Sequence, residues 1–259
     1  MQKEGGFFNI DGLFIEYQRV KGAEDSPTIV LLHEGLGCVS MWKDFPEVLC
    51  SMTGLSVFSY SRAGYGKSSR IALPRLINFH TDEAINVLPK ILRAADIGCC
   101  VLIGHSDGAS IGMIYVGANN TSHRVDGLIL MAPHVLAERK CISAVELAID
   151  AYENGKLRPA LWKHHGKNVD CAFRGWAGVW TNSDFATWNI ERYLPSITPP
   201  TLVIRGINDP YNTSIHMERI EELVSGDVES FNLTDGGHAP HQEQALRVTK
   251  LLADFITRL

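Results

Sequence analysis

Residues 99–112 read Cys99-Cys100-Val101-Leu102-Ile103-Gly104-His105-Ser106-Asp107-Gly108-Ala109-Ser110-Ile111-Gly112. A short apolar run ends here at a Gly-x-Ser-x-Gly pentapeptide, and a segment rich in glycine and alanine follows. This pattern predicts a strand, a tight turn and a helix, with the side chain of Ser106 exposed at the turn. Glycines two residues before and after the serine leave room for such a turn. An ordinary turn with a solvated serine is the alternative, and the rest of the chain decides between them.

Working outward, short apolar runs alternate with segments of helical spacing. A hairpin is predicted over 7–18, and further strands over 28–33, 55–60, 99–105, 125–132, 200–206 and 228–233. Continuous apolar strands that alternate with helices indicate a mostly parallel α/β sheet with flanking helices. We therefore predict an eight-stranded sheet of this kind.

The alternation stops at Pro133, and residues 134–199 look helical throughout, with four of the five tryptophans of the chain. This segment predicts a helical cap inserted after the sixth strand, over the edge where the strands end. The domain organisation is then a core of residues 1–133 and 200–259 and a cap of residues 134–199.

Two core helices are predicted in more detail. Residues 41–53 alternate polar and apolar side chains at helical spacing. Thr81-Asp82-Glu83 is typical of a helix N-terminus, followed by an apolar stripe of Ile85, Leu88, Ile91 and Leu92. Pro89 lies inside that stripe and is expected to disturb the helix.

Composition excludes several classes of function. The chain has 259 residues and a net charge of −5, and it shows no stripe of lysine and arginine, which argues against nucleic-acid binding. No apolar stretch reaches the roughly 18 residues that cross a bilayer. The six cysteines show no metal-ligand spacing. We expect a cytoplasmic protein with reduced thiols, no membrane or nucleic-acid partner and no bound metal; the sequence leaves the oligomeric state open.

A serine hydroxyl becomes a good nucleophile only when a base takes its proton, and histidine is suited to that task near neutral pH. The sequence offers an acid and a histidine in the required order after Ser106. Asp209 follows one predicted strand and His238 follows the next. Asp235 is an alternative acid, but it lies only three residues before His238 on the same loop.

These features together resemble the α/β-hydrolase superfamily over nearly the whole chain. The matching motifs are the Gly104–Gly108 pentapeptide, His33-Glu34-Gly35-Leu36-Gly37, Ser61-Arg62-Ala63-Gly64-Tyr65-Gly66-Lys67-Ser68, Gly206-x-x-Asp209 and Gly237-His238. The resemblance implies that Ser106 is the nucleophile, His238 the general base and Asp209 the residue that orients it. It also implies an oxyanion hole formed by the backbone N–H groups of Gly35 and Asp107.

Glu34 departs from the family pattern, because many relatives have glycine at this position. Its carboxylate is expected either to accept hydrogen bonds from nearby backbone or to bind a polar group of the substrate. Other residues expected to line the substrate pocket are Leu36, His134, Phe173, Trp176, Trp180 and Tyr211. The spacing of Phe173, Trp176 and Trp180 marks one helix face, which either packs on the core or roofs the pocket.

A serine nucleophile, rather than an aspartate, favours acyl transfer to water. The sequence therefore predicts a hydrolase of a carboxylic ester, thioester or lactone that works through an acyl-enzyme and needs no metal or organic cofactor. Its partner is then a small-molecule ester or acyl substrate. Two variants stay open: carbon–carbon bond hydrolysis of ring-fission diketones, and cleavage of a methyl ester on a carrier-protein-bound acid. A slow-turnover receptor for a small molecule is the alternative of a different class.

Overall fold

The computed structural model describes residues 2–24, 26–118 and 123–259, and Met1, Asp25 and residues 119–122 lie outside the described residues. Eight strands form one sheet: β1 Lys3–Ile10, β2 Leu13–Val20, β3 Thr28–Leu32, β4 Val57–Tyr60, β5 Cys99–His105, β6 Arg124–Met131, β7 Thr201–Gly206 and β8 Val228–Leu233. Their order is β1-β2-β4-β3-β5-β6-β7-β8. Strand β2 is antiparallel to both of its neighbours, and β3 to β8 run parallel. The predicted mostly parallel α/β sheet is confirmed.

Ten helices accompany the sheet within the described residues. They are α1 Phe45–Thr53, α2 Phe79–Asp82, α3 Leu88–Ala94, α4 Asp107–Gly117, α5 Arg139–Glu153, α6 Leu157–His165, α7 Val169–Trp180, α8 Ile215–Leu223, α9 Pro240–Glu243 and α10 Ala245–Ile256. None of these helices is long and apolar enough to cross a membrane.

The buried stretches of the central strands are mostly apolar because both faces of the sheet are covered. In β3, the side chains of Ile29 and Leu31 belong to the apolar cluster that α1 and α10 complete. Val30 and Leu32 belong to the cluster on the opposite face, with α3, α4 and α8. Successive side chains of a strand point to opposite faces, so a doubly covered strand needs a continuous apolar run. Burial on both faces therefore fixes the positions of the parallel strands and of the loops that follow their carboxyl ends.

The segment between β6 and β7 contains α5, α6 and α7 together with short 3-10 helices at Ser183–Thr187 and Glu191–Ser196. Leu136 near its start and Asn189 before its last 3-10 helix form an isolated antiparallel bridge. Its helices bury their own apolar cluster, in which Tyr152 stacks on Phe173 at a ring-centroid distance of 3.7 Å. We propose that these helices form a cap, residues 134–199, on a core of residues 1–133 and 200–259, and their separate apolar cluster supports this division.

The structure corrects both detailed helix predictions. In place of one helix over 41–53, the structure has a 3-10 turn at Val39–Trp42 and a separate helix α1. The two are separated because Lys43 has a φ of 54°, which an α-helix does not allow. The helix predicted from Thr81 begins at Phe79, and a π-helical turn at Glu83–Val87 precedes Pro89. The buried face also differs from the predicted stripe at its first position, since Ala84 is buried and Ile85 lies exposed.

Candidate active site

Ser106 occupies a sharp turn between the last residue of β5 and the first residue of α4. Its φ of 53° and ψ of −118° are strained for a residue with a side chain, and the surrounding glycines explain how the turn is reached. A Cβ on Gly108 would lie 2.0 Å from the carbonyl oxygen of Leu32, and one on Gly104 would lie 2.5 Å from the backbone nitrogen of Ala109. Only glycine fits at either position, so the pentapeptide spacing follows from close backbone packing.

The structure brings the three predicted catalytic side chains together. The Oγ of Ser106 lies 2.9 Å from Nε2 of His238, and Nδ1 of His238 lies 2.8 Å from Oδ2 of Asp209. A carboxylate only accepts hydrogen bonds, so Nδ1 carries the proton and Nε2 is left to accept one from the serine hydroxyl. The roles of these residues in a reaction stay predictions, but their geometry is that of a serine, its base and an orienting acid.

Asp209 is held in place by more than the histidine. Its Oδ1 accepts a hydrogen bond from the backbone N–H of Tyr211 at 2.7 Å. Burial alone would raise the pKa of Asp209, but the hydrogen bond and the charge of His238, with the backbone donors, lower it below its usual value. The carboxylate of Asp209 is therefore ionised near neutral pH and can accept the hydrogen bond from Nδ1 of His238.

The two residues predicted for the oxyanion hole lie on the loop after β3 and at the first position of α4. Backbone N–H groups in the first turn of a helix have no partner within the helix, which leaves that of Asp107 available to a ligand. A Cβ on Gly35 would lie 2.2 Å from Nε1 of Trp176 and 3.1 Å from Oδ2 of Asp107. Glycine is thus required where this loop passes between α7 and α4.

Arg62, which the sequence marked only as part of a loop motif, fixes the shape of the loop after β3. Its guanidinium donates to the carbonyl oxygens of His33 at 2.6 Å and of Glu34 at 2.8 Å. Its backbone N–H donates to Nε2 of His33 at 3.0 Å, and Nδ1 of His33 contacts the carbonyl oxygen of Glu34 at 2.7 Å. These contacts hold the backbone just before Gly35. Arg62 is buried, which is rare for an arginine. Because the sequence alone does not show this burial, the role of Arg62 in holding the loop could be recognised only from the structure.

The carboxylate of Glu34 pairs with His105, since Oε2 of Glu34 lies 3.4 Å from Nδ1 of His105. Burial would raise the pKa of Glu34, but the hydrogen bond and charge of His105 outweigh it and hold that pKa far below its usual range. The opposite ring nitrogen of His105 lies 2.6 Å from the carbonyl oxygen of His238. The pair therefore links the loop after β3 to the loop that carries His238. Glu34 also lines the cavity described below, so its two predicted roles are both compatible with its position.

Replacing Glu34 with glutamine is expected to lower the free energy of unfolding by about 1–3 kcal/mol at pH 6, because His105 loses a charged partner in a buried site. The pKa of His105 is raised in the folded protein, mainly by Glu34, against the effect of burial. A raised pKa adds stability that is complete below the unfolded value of about 6.5 and is lost as the pH rises through the folded value. The difference between wild type and Glu34→Gln should therefore shrink at pH 9 in urea unfolding.

The matched control for this variant is Glu146→Gln, because Glu146 is half exposed and lies 3.8 Å from Arg139. Surface pairs of this kind contribute little, so its unfolding curve should match wild type at both pH values. A loss for Glu34→Gln that is equal at pH 6 and pH 9 would contradict the pairing with His105.

A cavity of about 120 Å³ opens over the Ser106 hydroxyl. Its lining residues come from the loop after β3, the turn at Ser106, the cap segment and the loops that carry the acid and the histidine. They are Glu34, Gly35, Leu36, Ser106, Asp107, His134, Cys141, Trp176, Trp180, Tyr211 and His238. The volume is below the range of about 300–1,000 Å³ that is usual for ligand sites, which indicates a small ligand.

Most of the residues expected at the pocket lie on this cavity, with one correction and one addition. Phe173 does not line it; the ring is buried behind Trp176, at a centroid distance of 5.9 Å, and stacks on Tyr152. Only part of the apolar face of helix α7 lines the cavity. The helical spacing of its aromatic residues therefore could not show which of them line the cavity and which are buried behind it. Cys141 of α5 lines the cavity and was not expected, since a lone cysteine in a helical segment carries no signal in the sequence.

His134 lies between Trp180 and the catalytic candidates, with its ring centroid 5.1 Å from that of Trp180 and 5.9 Å from that of His238. Burial, together with the neighbouring His216 and His238, lowers the pKa of His134 well below its usual value. The ring is therefore neutral and adds no charge to the cavity.

The side chain of Asp107 is a further feature of the site that the sequence did not reveal, because the prediction concerned only its backbone. Its Oδ1 accepts a hydrogen bond from Nε1 of Trp180 at 3.2 Å and lies 3.2 Å from Nε2 of the fully buried His80. Burial would raise the pKa of Asp107, but His80, Arg62 and Trp180 lower it. An ionised carboxylate thus lies beside the serine.

The sheet order, the strained turn after β5 and the acid and histidine after β7 and β8 define a protein of the α/β-hydrolase class. A family model described as alpha/beta hydrolase fold matches residues 27–162. The chain belongs to this family.

Three similar proteins illustrate the breadth of the family. The "Putative carbamate hydrolase RutD" of Variovorax paradoxus is 28% identical over 94% of this chain and 96% of its own length. The "Uncharacterized protein YqjL" of Bacillus subtilis is 30% identical over 49% of this chain, and the match spans 47% of that protein. The esterase EaEST from Exiguobacterium antarcticum superposes with a TM-score of 0.76 at 18% identity, over 98% of this chain and all of that one. The similarity to the esterase, at 18% identity, shows a shared fold only. The family match and the relative named as a hydrolase support the conclusion that this chain is a hydrolase.

Proposed function

We propose that the protein is a serine hydrolase that cleaves a small carboxylic ester through an acyl-enzyme. The observation that carries the proposal is the chain of two hydrogen bonds from Ser106 through His238 to Asp209, at the floor of a small cavity. This arrangement makes a hydroxyl nucleophilic at neutral pH without a metal ion.

In the proposed first step, Oγ of Ser106 attacks the ester carbonyl carbon while Nε2 of His238 takes the hydroxyl proton. Asp209 stabilises the imidazolium that forms. The carbonyl oxygen becomes an oxyanion, which the backbone N–H groups of Gly35 and Asp107 would stabilise. The C–O bond to the alcohol then breaks, and His238 returns the proton to the leaving alkoxide. Ser106 is left as an ester of the acyl group.

In the second step, a water molecule replaces the alcohol and repeats the sequence. His238 takes a proton from the water as its oxygen attacks the acyl carbon, and it gives that proton to Oγ of Ser106 as the acid leaves. Atoms balance over the cycle, since one ester and one water become one acid and one alcohol. The protein supplies every proton acceptor and donor that this cycle needs.

A carbamate is a second candidate substrate, because the relative named as a carbamate hydrolase aligns with almost the whole chain. A carbamate has the same electrophilic carbonyl and passes through the same tetrahedral intermediate, so the site would act on it in the same way. The small volume of the cavity, about 120 Å³, favours small esters and carbamates over ring-fission diketones and carrier-bound acyl chains.

Hydrolysis of p-nitrophenyl esters of increasing acyl length tests this proposal. We expect kcat/KM for the acetate to exceed that for the octanoate by about 10- to 100-fold, because forcing extra methylenes into a packed site costs about 1–3 kcal/mol. Leu36→Ala is the matched variant: it removes part of the cavity wall and should move the preference towards longer chains. Equal rates for acetate and octanoate would contradict the small acyl site, and no hydrolysis above the Ser106→Ala background would contradict the esterase.

A further inference from the structure

The side chain of Asp107 has a feature that the proposed reaction does not use. The residue is 1% exposed, and its Oδ1 is occupied by Trp180 and His80. Its Oδ2 has no hydrogen-bond partner in the described part of the chain. A buried carboxylate oxygen without a donor is costly, and such atoms in folded proteins call for an explanation.

The residue that carries this unpartnered oxygen lies at the cavity above Ser106. Asp107 is one of the residues that line this cavity. Its Oδ2 lies 3.1 Å from the position that a Cβ on Gly35 would take, so it stands where the loop after β3 and the start of α4 approach each other. These are the same two segments whose backbone N–H groups are predicted to hold the carbonyl oxygen of the substrate. The oxygen is therefore placed to meet a group attached close to that carbonyl.

The charges around Asp107 show what kind of group would fit. Arg62 directs its guanidinium to the carbonyl oxygens of His33 and Glu34. Within residues 2–24, 26–118 and 123–259, no lysine or arginine nitrogen forms an ion pair with Asp107, and Nε2 of the buried His80 lies 3.2 Å from Oδ1 rather than at Oδ2. A negative charge next to a developing oxyanion opposes the attack of the serine. A cation on the substrate would neutralise that charge and supply the missing donor at once.

We propose that Oδ2 of Asp107 binds a cationic nitrogen on the acyl part of the substrate, so that the protein acts on small esters of α-amino acids. This inference rests on the proposed esterase and names its substrate class. An ammonium group on the carbon next to the carbonyl is close enough to reach the carboxylate of the residue that follows the nucleophile. The cavity of about 120 Å³ suits an acyl group with a short side chain, such as alanine. A charge-assisted hydrogen bond of this kind is stronger than one to a neutral donor.

Three ethyl esters of nearly equal size test the proposal: L-alanine ethyl ester, ethyl L-lactate and ethyl isobutyrate. They carry an ammonium, a hydroxyl and a methyl group at the same position. We expect wild type to prefer the alanine ester over the isobutyrate by about 10- to 100-fold in kcat/KM, after division by the ratio of their hydroxide-catalysed rates, with the lactate between them. Asp107→Asn, which keeps the size but presents an amide, should bring this corrected ratio close to one.

A binding measurement separates this inference from the proposed reaction. Ser106→Ala retains the Asp107 carboxylate, and we expect it to bind L-alanine ethyl ester at least about 10-fold more tightly than ethyl isobutyrate by calorimetry. The preference should vanish in the double variant Ser106→Ala, Asp107→Asn. If wild type hydrolyses no ester but this binding preference holds, the proposed reaction fails and the role of Asp107 stands. Equal affinities in Ser106→Ala, or a corrected ratio near one in wild type, would overturn the role of Asp107. The wild-type ratio and the Ser106→Ala affinities decide the question even where Asp107→Asn does not fold.

Discussion

Replacement of Ser106 with alanine is expected to lower kcat for a short-chain ester by about 10⁴- to 10⁶-fold. In the proposed reaction the hydroxyl forms the acyl-enzyme, and in the folded protein it lies 2.9 Å from Nε2 of His238, the proposed proton acceptor. Removing it leaves the cavity, the backbone donors and the histidine in place. The loss should therefore appear in kcat with little change in the affinity for the ester, measured by initial rates and by equilibrium binding.

Ser51→Ala serves as the control for this variant, because Ser51 is exposed on α1 and far from the sheet edge. Its kcat should equal that of wild type, and both variants should unfold at the wild-type urea concentration to within experimental error. Ester turnover by Ser106→Ala at a tenth of the wild-type rate would show that another group is the nucleophile.

The second large effect is expected for Asp209→Asn, with a loss of about 10⁴-fold in kcat. The amide can present an N–H where Oδ2 now accepts from Nδ1 of His238 at 2.8 Å. The imidazole would then carry its proton on Nε2, towards the serine, and could no longer accept the hydroxyl proton. The side chain keeps its size, so the loss reports on the tautomer rather than on packing. Steady-state hydrolysis of p-nitrophenyl acetate measures it.

Asp235→Asn is the matched control, since Asp235 lies on the same loop as His238 and was the alternative acid. Its side chain is exposed, whereas Asp209 is buried against the histidine. We expect Asp235→Asn to retain the wild-type kcat. The reverse result, with loss in Asp235→Asn and full activity in Asp209→Asn, would assign the acid to the other residue.

The sheet and the candidate triad were accessible from the sequence for a physical reason. A strand covered on both faces must be apolar throughout, as in Thr28–Leu32, so it stands out from its surroundings. The turn at Ser106 requires glycine at fixed distances on either side because backbone atoms of Leu32 and Ala109 leave no room for a Cβ. Parallel strands end at one edge, which brings Asp209 and His238 to the same place as Ser106.

The remaining features depend on contacts between distant parts of the chain. His80 reaches Asp107 only because a helix that begins at Phe79 is packed beneath the cap, and nothing local to either residue predicts that pairing. Phe173 and Trp176 belong to the same apolar face of α7, yet of these two only Trp176 lines the cavity. The orientation of α7 depends on the segments that pack against it, which the spacing does not show. The π-helical turn at Glu83–Val87 is likewise marked by no pattern in the sequence.

The central claim is that Ser106 forms a covalent bond with an acyl-like electrophile, activated by His238. Incubation with a fluorophosphonate, followed by mass spectrometry of the intact protein and of its peptides, tests this claim most directly. We expect one phosphonyl adduct per chain, located on Ser106, that forms slowly in His238→Ala and not at all in Ser106→Ala. An adduct on a different residue, or an unmodified wild-type protein under conditions that label a known serine hydrolase, would contradict it.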